Sequence, residues 1–359
     1  METHIGDEFI LNYPCRPDDV NNSIIKEKLR NAMSHLNEAA ILIEKNSSVD
    51  YICSSIVSIS SNRERCLLGI PKGGVIRVNS NRNFVFPELR PNTCGILLAE
   101  IKGKIDPKTV VERIRENKNI FSSEQWDYGK DNHFVSLLQA SNGNKFALVH
   151  GSTQSVKHDK NKRMGLYPEH SRLMQESLVS IETSKGKVDV LLDDSAVAYW
   201  ESYSQAEKES KISRRMIARF IFGEIETVSD QIHVGMQDLK TYNIGVNVSD
   251  NTDSIYPLLT KKDHPIYMVS PNKHSIFSGI SLQPHSYAKI LSDFSHIQRV
   301  VKDARGCLFE LVNEDGIITI ARDFKELAFE SNFCVEKPFQ LPIELDYLET
   351  LSPILCVKL

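Results

Sequence analysis

Apolar positions recur along this chain in two rhythms. In "NNSIIKEKLRNAMSHLNEAAILIEK" the residues Ile24, Ile25, Leu29, Met33 and Leu36 fall at helical spacing, which predicts a first helix after a short opening strand. The next stretch is β-like. "YICSSIVSIS", "CLLGIPKGGVIRV", "NFVF" and "CGILLAEI" are short apolar runs, separated by turn formers such as Pro71 with Gly73-Gly74 and Pro87. Asp106 ahead of Pro107 predicts the N-terminus of a second helix, "PKTVVERIRENKNIF", with an N-cap and a proline in the first turn. The longest helix is predicted over "DDSAVAYWESYSQAEKESKISRRMIARFIFGE", where Tyr199, Tyr203, Ala206, Ile217 and Phe220 or Ile221 lie on or near one face and Gly223 is placed as a stop. The remainder returns to strands in "PIYMVS", "SIFSGISL", "CLFELV", "GIITIA" and "ILCVKL". With no internal repeat, low-complexity block or Gly/Ser/Pro linker, the pattern predicts an α+β fold. The expectation is one compact domain over residues 1–359, with mixed short-stranded sheets and flanking helices.

Composition narrows the function classes. The 359 residues are 41% hydrophobic and 25% charged, which excludes disordered, collagenous and fibrous proteins. A net charge of -4 excludes a uniformly basic nucleic-acid coat, so RNA or DNA contact would need local patches. One such patch is Lys157, Lys160, Lys162 and Arg163 in a polar loop; another is Lys211, Arg214, Arg215 and Arg219 near the end of the longest helix. Each also reads as ordinary surface charge, the second as cations favoured by the helix dipole. Seven cysteines without CxxC spacing point to a reducing compartment. No secretory signal and no bilayer-length apolar run is read, so the expected location is cytoplasmic and no membrane partner is expected.

Candidate chemistry centres on "DNHFVSLLQASNGNKFALVHGS", Asp131 to Ser152. If Asn142-Gly143 forms a two-residue hairpin turn, His150 lies opposite Val135. His133 shares the face of Val135, which makes His133 and His150 diagonal neighbours within reach of one metal ion. Two structural, hydrogen-bonded histidines are the other reading. Cys94, in "RPNTCGILLAEI", opens an apolar strand after a proline-containing turn, a position either for a thiolate at a sheet end or for an inert core cysteine.

Taken in order, "PKGGV" (Pro71 to Val75), "PNTCG" (Pro91 to Gly95), "DNHF" (Asp131 to Phe134), "HGSTQ" (His150 to Gln154), "IHV" (Ile232 to Val234), "IYMV" (Ile266 to Val269), "HSYAK" (His285 to Lys289) and "CVKL" (Cys356 to Leu359) resemble the ordered motifs of the RtcB-type RNA-splicing ligase family over nearly the whole chain. The resemblance implies an RtcB-like domain that joins 3′-phosphate or 2′,3′-cyclic phosphate RNA ends to 5′-hydroxyl ends. It implies Cys94, His133, His150 and His233 as ligands of divalent metal, manganese in that family. His285 would be the nucleophile that takes GMP from GTP, with Asn132, Lys289 and Lys358 contacting nucleotide or phosphate. Lys157, Lys160, Lys162 and Arg163 would contact RNA. The sequence leaves open whether a helper protein is needed.

The chain departs from the family at several points. The family's metal-binding aspartate falls on Pro91, with Asn92 and Glu88 as the nearby oxygen donors, so one tight ion and a weaker second are expected. A thiolate with imidazoles suits zinc as well as manganese. Lys289 replaces an arginine, keeping charge without bidentate geometry. These departures motivate a second expectation, a non-ligating metal-binding relative that serves as an RNA-binding or regulatory protein or as a metal-dependent phosphoesterase.

Overall fold

The computed structural model describes residues 10–11, 20–58, 70, 72–117, 133–249, 254–259, 265–271, 276–277, 280–284, 297–302, 309–314, 316–321 and 345–358. After β1 (Ile10–Leu11), helix α1 (Val20–Ile43) buries Leu29, Met33 and Leu36, three residues of the predicted stripe. Strands β2 (Ser48–Ser58), β3 (Lys72–Asn79), β4 (Phe84–Val85) and β5 (Cys94–Ile101) follow the predicted apolar runs. In α2 (Pro107–Glu116) the Asp106 side chain accepts a hydrogen bond from the Thr109 N–H at 3.0 Å, as its N-cap position predicts. Then come β6 (Phe134–Ala140), β7 (Lys145–Gly151), α3 (Arg172–Gln175), β8 (Val179–Thr183), β9 (Gly186–Leu192) and α4 (Asp194–Phe222), which stops at Gly223. The chain continues through β10 (Ile225–Asp238), β11 (Thr241–Ile244), β12 (Val246–Ser249), β13 (Tyr256–Leu259), β14 (Ile266–Pro271), β15 (Ile276–Phe277) and β16 (Ile280–Pro284). Last are β17 (Ile297–Lys302), β18 (Phe309–Asn313), β19 (Ile318–Ala321) and β20 (Leu345–Lys358).

These elements make the mixed α+β fold that the pattern predicts. Among the described residues, one large sheet runs β1-β2-β3-β11-β10-β5-β7-β6-β20-β19-β18-β17, with β14 also on β20 and β13 on β14. Two three-stranded sheets, β12-β16-β15 and β4-β9-β8, complete the strands. No helix among the described residues is long and apolar enough to cross a membrane.

The two faces of the central strands pack differently. Leu97, Ala99, Val135, Leu137, Ala147 and Val149 meet α2 and the last turns of α4 through Val110, Ile114, Ile217 and Ile221. Ile96, Leu98, Phe134, Leu138 and Leu148 face the other way, against Ile266, Met268 and Leu351 of β14 and β20. The first turns of α4 instead join α1 and the β4-β9-β8 sheet through Tyr199 and Tyr203. At 29 residues α4 is about 44 Å long, which lets one helix belong to both packing units.

The β6–β7 hairpin corrects the sequence reading. Its turn is not the two-residue type: Ala140 N–H donates to Asn144 O, Gly143 N–H donates to Ala140 O, and Gly143 takes a left-handed φ of 88°. Asn142 Oδ1 accepts the Asn144 N–H at 2.9 Å, so the Asn side chain closes a three-residue loop. One extra residue shifts the register by one, and His150 lies opposite Phe134 rather than Val135. Nothing crowds a Cβ at Gly143, so alanine there costs only backbone strain, about 1–2 kcal/mol. Urea unfolding should show a lower midpoint for Gly143→Ala and a near-native one for Gly143→Asn. An unchanged midpoint for the alanine variant would contradict the loop as described.

Candidate metal centre

Four adjacent strands of the large sheet, in the order β6, β7, β5 and β10, each bring one candidate ligand to the same end. Antiparallel neighbours place the start of one strand beside the end of the next. His133 accordingly stands just ahead of β6, His150 one residue before the end of β7, and Cys94 at the first position of β5. His150 is paired with Ile96, so both point to one face, and Cys94, two residues before Ile96, shares that face. His133 would point away from His150 if the ladder continued through it, given the observed register. It lies just outside the ladder, where alternation no longer constrains it, and its ring comes to 5.2 Å from that of His150 between centroids.

His233 reaches the site by a different device. On β10, Ile232 pairs with Gly95 and Val234 pairs with Cys94, which makes His233 the extra residue of a β-bulge. Bulges re-aim side chains, and here the bulge turns an imidazole toward His150, with ring centroids 5.0 Å apart. Gly245 N–H donates to His233 O at 2.8 Å and holds that backbone in place.

The donor atoms converge. Cys94 Sγ is 3.1 Å from His133 Nε2 and 3.4 Å from His150 Nε2, and His150 Nε2 is 3.3 Å from His233 Nε2. All four residues are buried, at 5%, 7%, 3% and 1% exposure for Cys94, His133, His150 and His233. A ring nitrogen makes one hydrogen bond, yet His150 Nε2 has a sulfur and a second imidazole nitrogen as neighbours. One cation satisfies both contacts. With bonds of 2.0–2.3 Å to nitrogen and sulfur, a tetrahedral ion spaces its donors about 3.3–3.6 Å apart, close to the separations here. Cys94, His133 and His150 thus form a group able to hold a metal ion, with donor atoms all within 4.8 Å of one another. His233 extends it beside His150.

Of the other expected site residues, Asn132, His285 and Lys289 lie outside the described residues. Lys358 ends β20 next to Val357, which pairs with Val135 of β6, so its backbone lies at the same sheet end as His133. The basic loop divides. Lys160, itself exposed, and the half-buried Arg163 lie 3.6 and 3.0 Å from Glu209, Lys157 sits over the Tyr167 ring at 5.4 Å, and Lys162 is exposed. Arg214 is not a surface cation at all: its side chain is fully buried against Asp230. The apolar stripe that runs from Tyr203 and Ala206 to Ile217 and Ile221 passes through Ser210 and Arg214, and that spacing was the signal for their burial.

Pro91 is buried and Asn92 uses its Oδ1 to accept the Cys94 N–H at 3.0 Å. Glu88 is not part of the donor group. Burial, with the nearby Asp189 charge, pushes the Glu88 carboxyl up to about 7, and Arg90 only partly opposes this.

Two outcomes follow from this geometry. Clean protein should carry stoichiometric transition metal by elemental analysis, and His150→Ala, which removes the donor between Cys94 and His233, should weaken binding by more than about 100-fold, beyond the usual cost of losing an outer partner. His233→Ala should be milder, because three donors remain. For Glu88, a carboxyl raised in the folded state contributes stability below its ordinary 4.5 that is lost as pH rises through about 7. Glu88→Gln should therefore gain stability relative to the unmodified chain across that window in thermal melts, and a constant difference at all pH values would contradict it. Among known proteins, no family model and no curated sequence matches this chain.

Proposed function

We propose that this chain is a metal-dependent RNA ligase of the RtcB type, joining 3′-phosphate or 2′,3′-cyclic phosphate ends to 5′-hydroxyl ends by way of a guanylylated His285. The observation that carries the reading is the convergence of Cys94, His133, His150 and His233 from four neighbouring strands, the ligand set that the resemblance implies. Backbone topology supports it further. Pro284, the residue before His285, pairs with Val246, and Val246 follows Gly245, whose N–H holds His233 O. Lys358 arrives from β20 at the same sheet end.

In this reading a His285 ring nitrogen attacks the α-phosphorus of GTP, the new N–P bond forms, and pyrophosphate leaves with the electrons of the broken P–O bond. A divalent ion held by the cluster would supply positive charge against the phosphoryl oxygens. The chain's own part is to hold the donors rigid, to keep water from them by burial, and to retain GMP on His285 until an RNA 3′-phosphate accepts it. Activated by that GMP, the RNA end is then attacked by a 5′-hydroxyl, and GMP leaves. Because the donors among the described residues are one cysteine sulfur and imidazoles, the resident ion in this reading is zinc or another borderline metal more readily than manganese. Lys157 and Lys162 remain as RNA contacts, with Lys160 and Arg163 partly neutralised by Glu209.

A second reading, a non-ligating metal-binding relative, is favoured by one observation: buried Pro91 offers no donor where the family has an aspartate. Labelling separates the two. With GTP and manganese or zinc, intact-mass measurement should show one added GMP, stable to alkali and labile to acid, and none on His285→Asn, which keeps its metal. Metal and RNA binding without any nucleotide adduct would sink the ligase reading and leave the second.

A further inference from the structure

The candidate ligands stand on strand ends, and strand ends fray unless something holds them. Directly behind them, on the opposite face of the sheet, lies the Arg214 side chain, 0% exposed. Its Nη1 donates to Gly151 O at 3.1 Å and to Thr93 O at 3.4 Å, and its Nε donates to Asp230 Oδ1 at 2.8 Å. Thr93 precedes Cys94, Gly151 follows His150, and Asp230 lies on β10 three residues before His233. One guanidinium therefore grips the three strands that carry three of the four candidate ligands. Ser210, one turn earlier on α4, adds a second grip: its Oγ accepts from Thr93 Oγ1 at 2.9 Å and lies 3.3 Å from Thr153 Oγ1.

Two backbone features belong to this arrangement. Gly95 leaves room for the guanidinium, since a Cβ there would stand 3.1 Å from Arg214 Cζ and 2.4 Å from Gln231 O. Thr93 has a left-handed φ of 60°, unusual for a β-branched residue, and is held by both grips.

We infer that Arg214 is a positioning residue of the metal centre: it touches no ligand side chain, but it sets the separation of Cys94, His150 and His233 by clamping their strands from behind. The inference rests on the reading of the cluster as a metal centre. Arg215 supplies the natural control, because it pairs with the other oxygen of Asp230 at 3.1 Å while its own side chain is 43% exposed, whereas the bonds to the strand carbonyls come from Arg214.

Cobalt(II) titration of the intact chain tests this, read by the thiolate charge-transfer band and the visible ligand-field bands. Arg214→Met should weaken cobalt binding by about 10–100-fold, the usual effect of losing an outer partner, and alter the ligand-field envelope. Arg214→Lys restores the charge beside Asp230 without the fork and should recover part of the affinity. Arg215→Met should match the unmodified chain. If Arg214→Met does not fold, Arg214→Met with Asp230→Leu, which leaves no uncompensated buried carboxylate, carries the comparison. Unchanged affinity and spectrum in that double variant overturn the inference. Should the unmodified chain take up no cobalt, the metal reading fails on its own, and amide exchange of the metal-free chain decides the clamp. Exchange at Gly95, Ile96 and His150 at least about tenfold faster in the Arg214 variants than in Arg215→Met supports it; equal exchange refutes it.

Discussion

A guanidinium with no exposed surface cannot be left half satisfied, and much of the architecture around the centre of this sheet answers to that constraint. Removing one partner of a buried ion pair typically costs about 3–5 kcal/mol, because the remaining charge stays in a medium of low polarity. Arg214 lies 2.7 Å from Asp230 through Nη2, donates to it from Nε at 2.8 Å, and donates from Nη1 to two strand carbonyls. Its bonds join α4 to the ends of β5 and β7 and to β10, and at Gly95 it comes up behind a strand already pressed against the Gln231 carbonyl, where a Cβ would stand 2.4 Å from that oxygen and 3.1 Å from Arg214 Cζ.

The apolar packing explains why this charge can sit there. Toward its C-terminal end α4 contributes Ile217, Ala218 and Ile221 to a dry cluster with α2 and the sheet, and toward its N-terminal end Tyr199 and Tyr203 join a separate cluster around α1. Ser210 and Arg214 fall between the two. That polar segment coincides with the sheet end where the β5–β7 ladder finishes, and there Arg214 donates to the carbonyls of Thr93 and Gly151. A helix that was apolar throughout would offer those carbonyls no donor.

On the opposite face the same sheet end presents sulfur and imidazole donors in a buried setting. Their burial matters to the chemistry as much as their spacing, since charge interactions strengthen where water is excluded. It also limits what the group can reach, since at 1–7% exposure its donors are withdrawn from bulk water.

From the sequence alone, the helices α1, α2 and α4 and the strand β5 were legible, because helical periodicity, an Asp-Pro cap and short apolar runs are local signals, and the hairpin pattern singled out His133 and His150, whereas His233 was reached only through the family resemblance. Strands such as β8 and β10 were not, since β8 is largely exposed and β10 mixes polar and apolar positions without clean alternation. The pairing of His133 with His150 was foreseen for a partly wrong reason: the hairpin register is shifted by one, and the rings meet because His133 stands beyond the ladder. The bulge at His233 and the partners of Arg214, Asp230 and the two strand carbonyls, were decided only in three dimensions. Both depend on which strands become neighbours, and strand order comes from contacts between residues far apart in the chain, which no local pattern of hydrophobic and polar positions encodes.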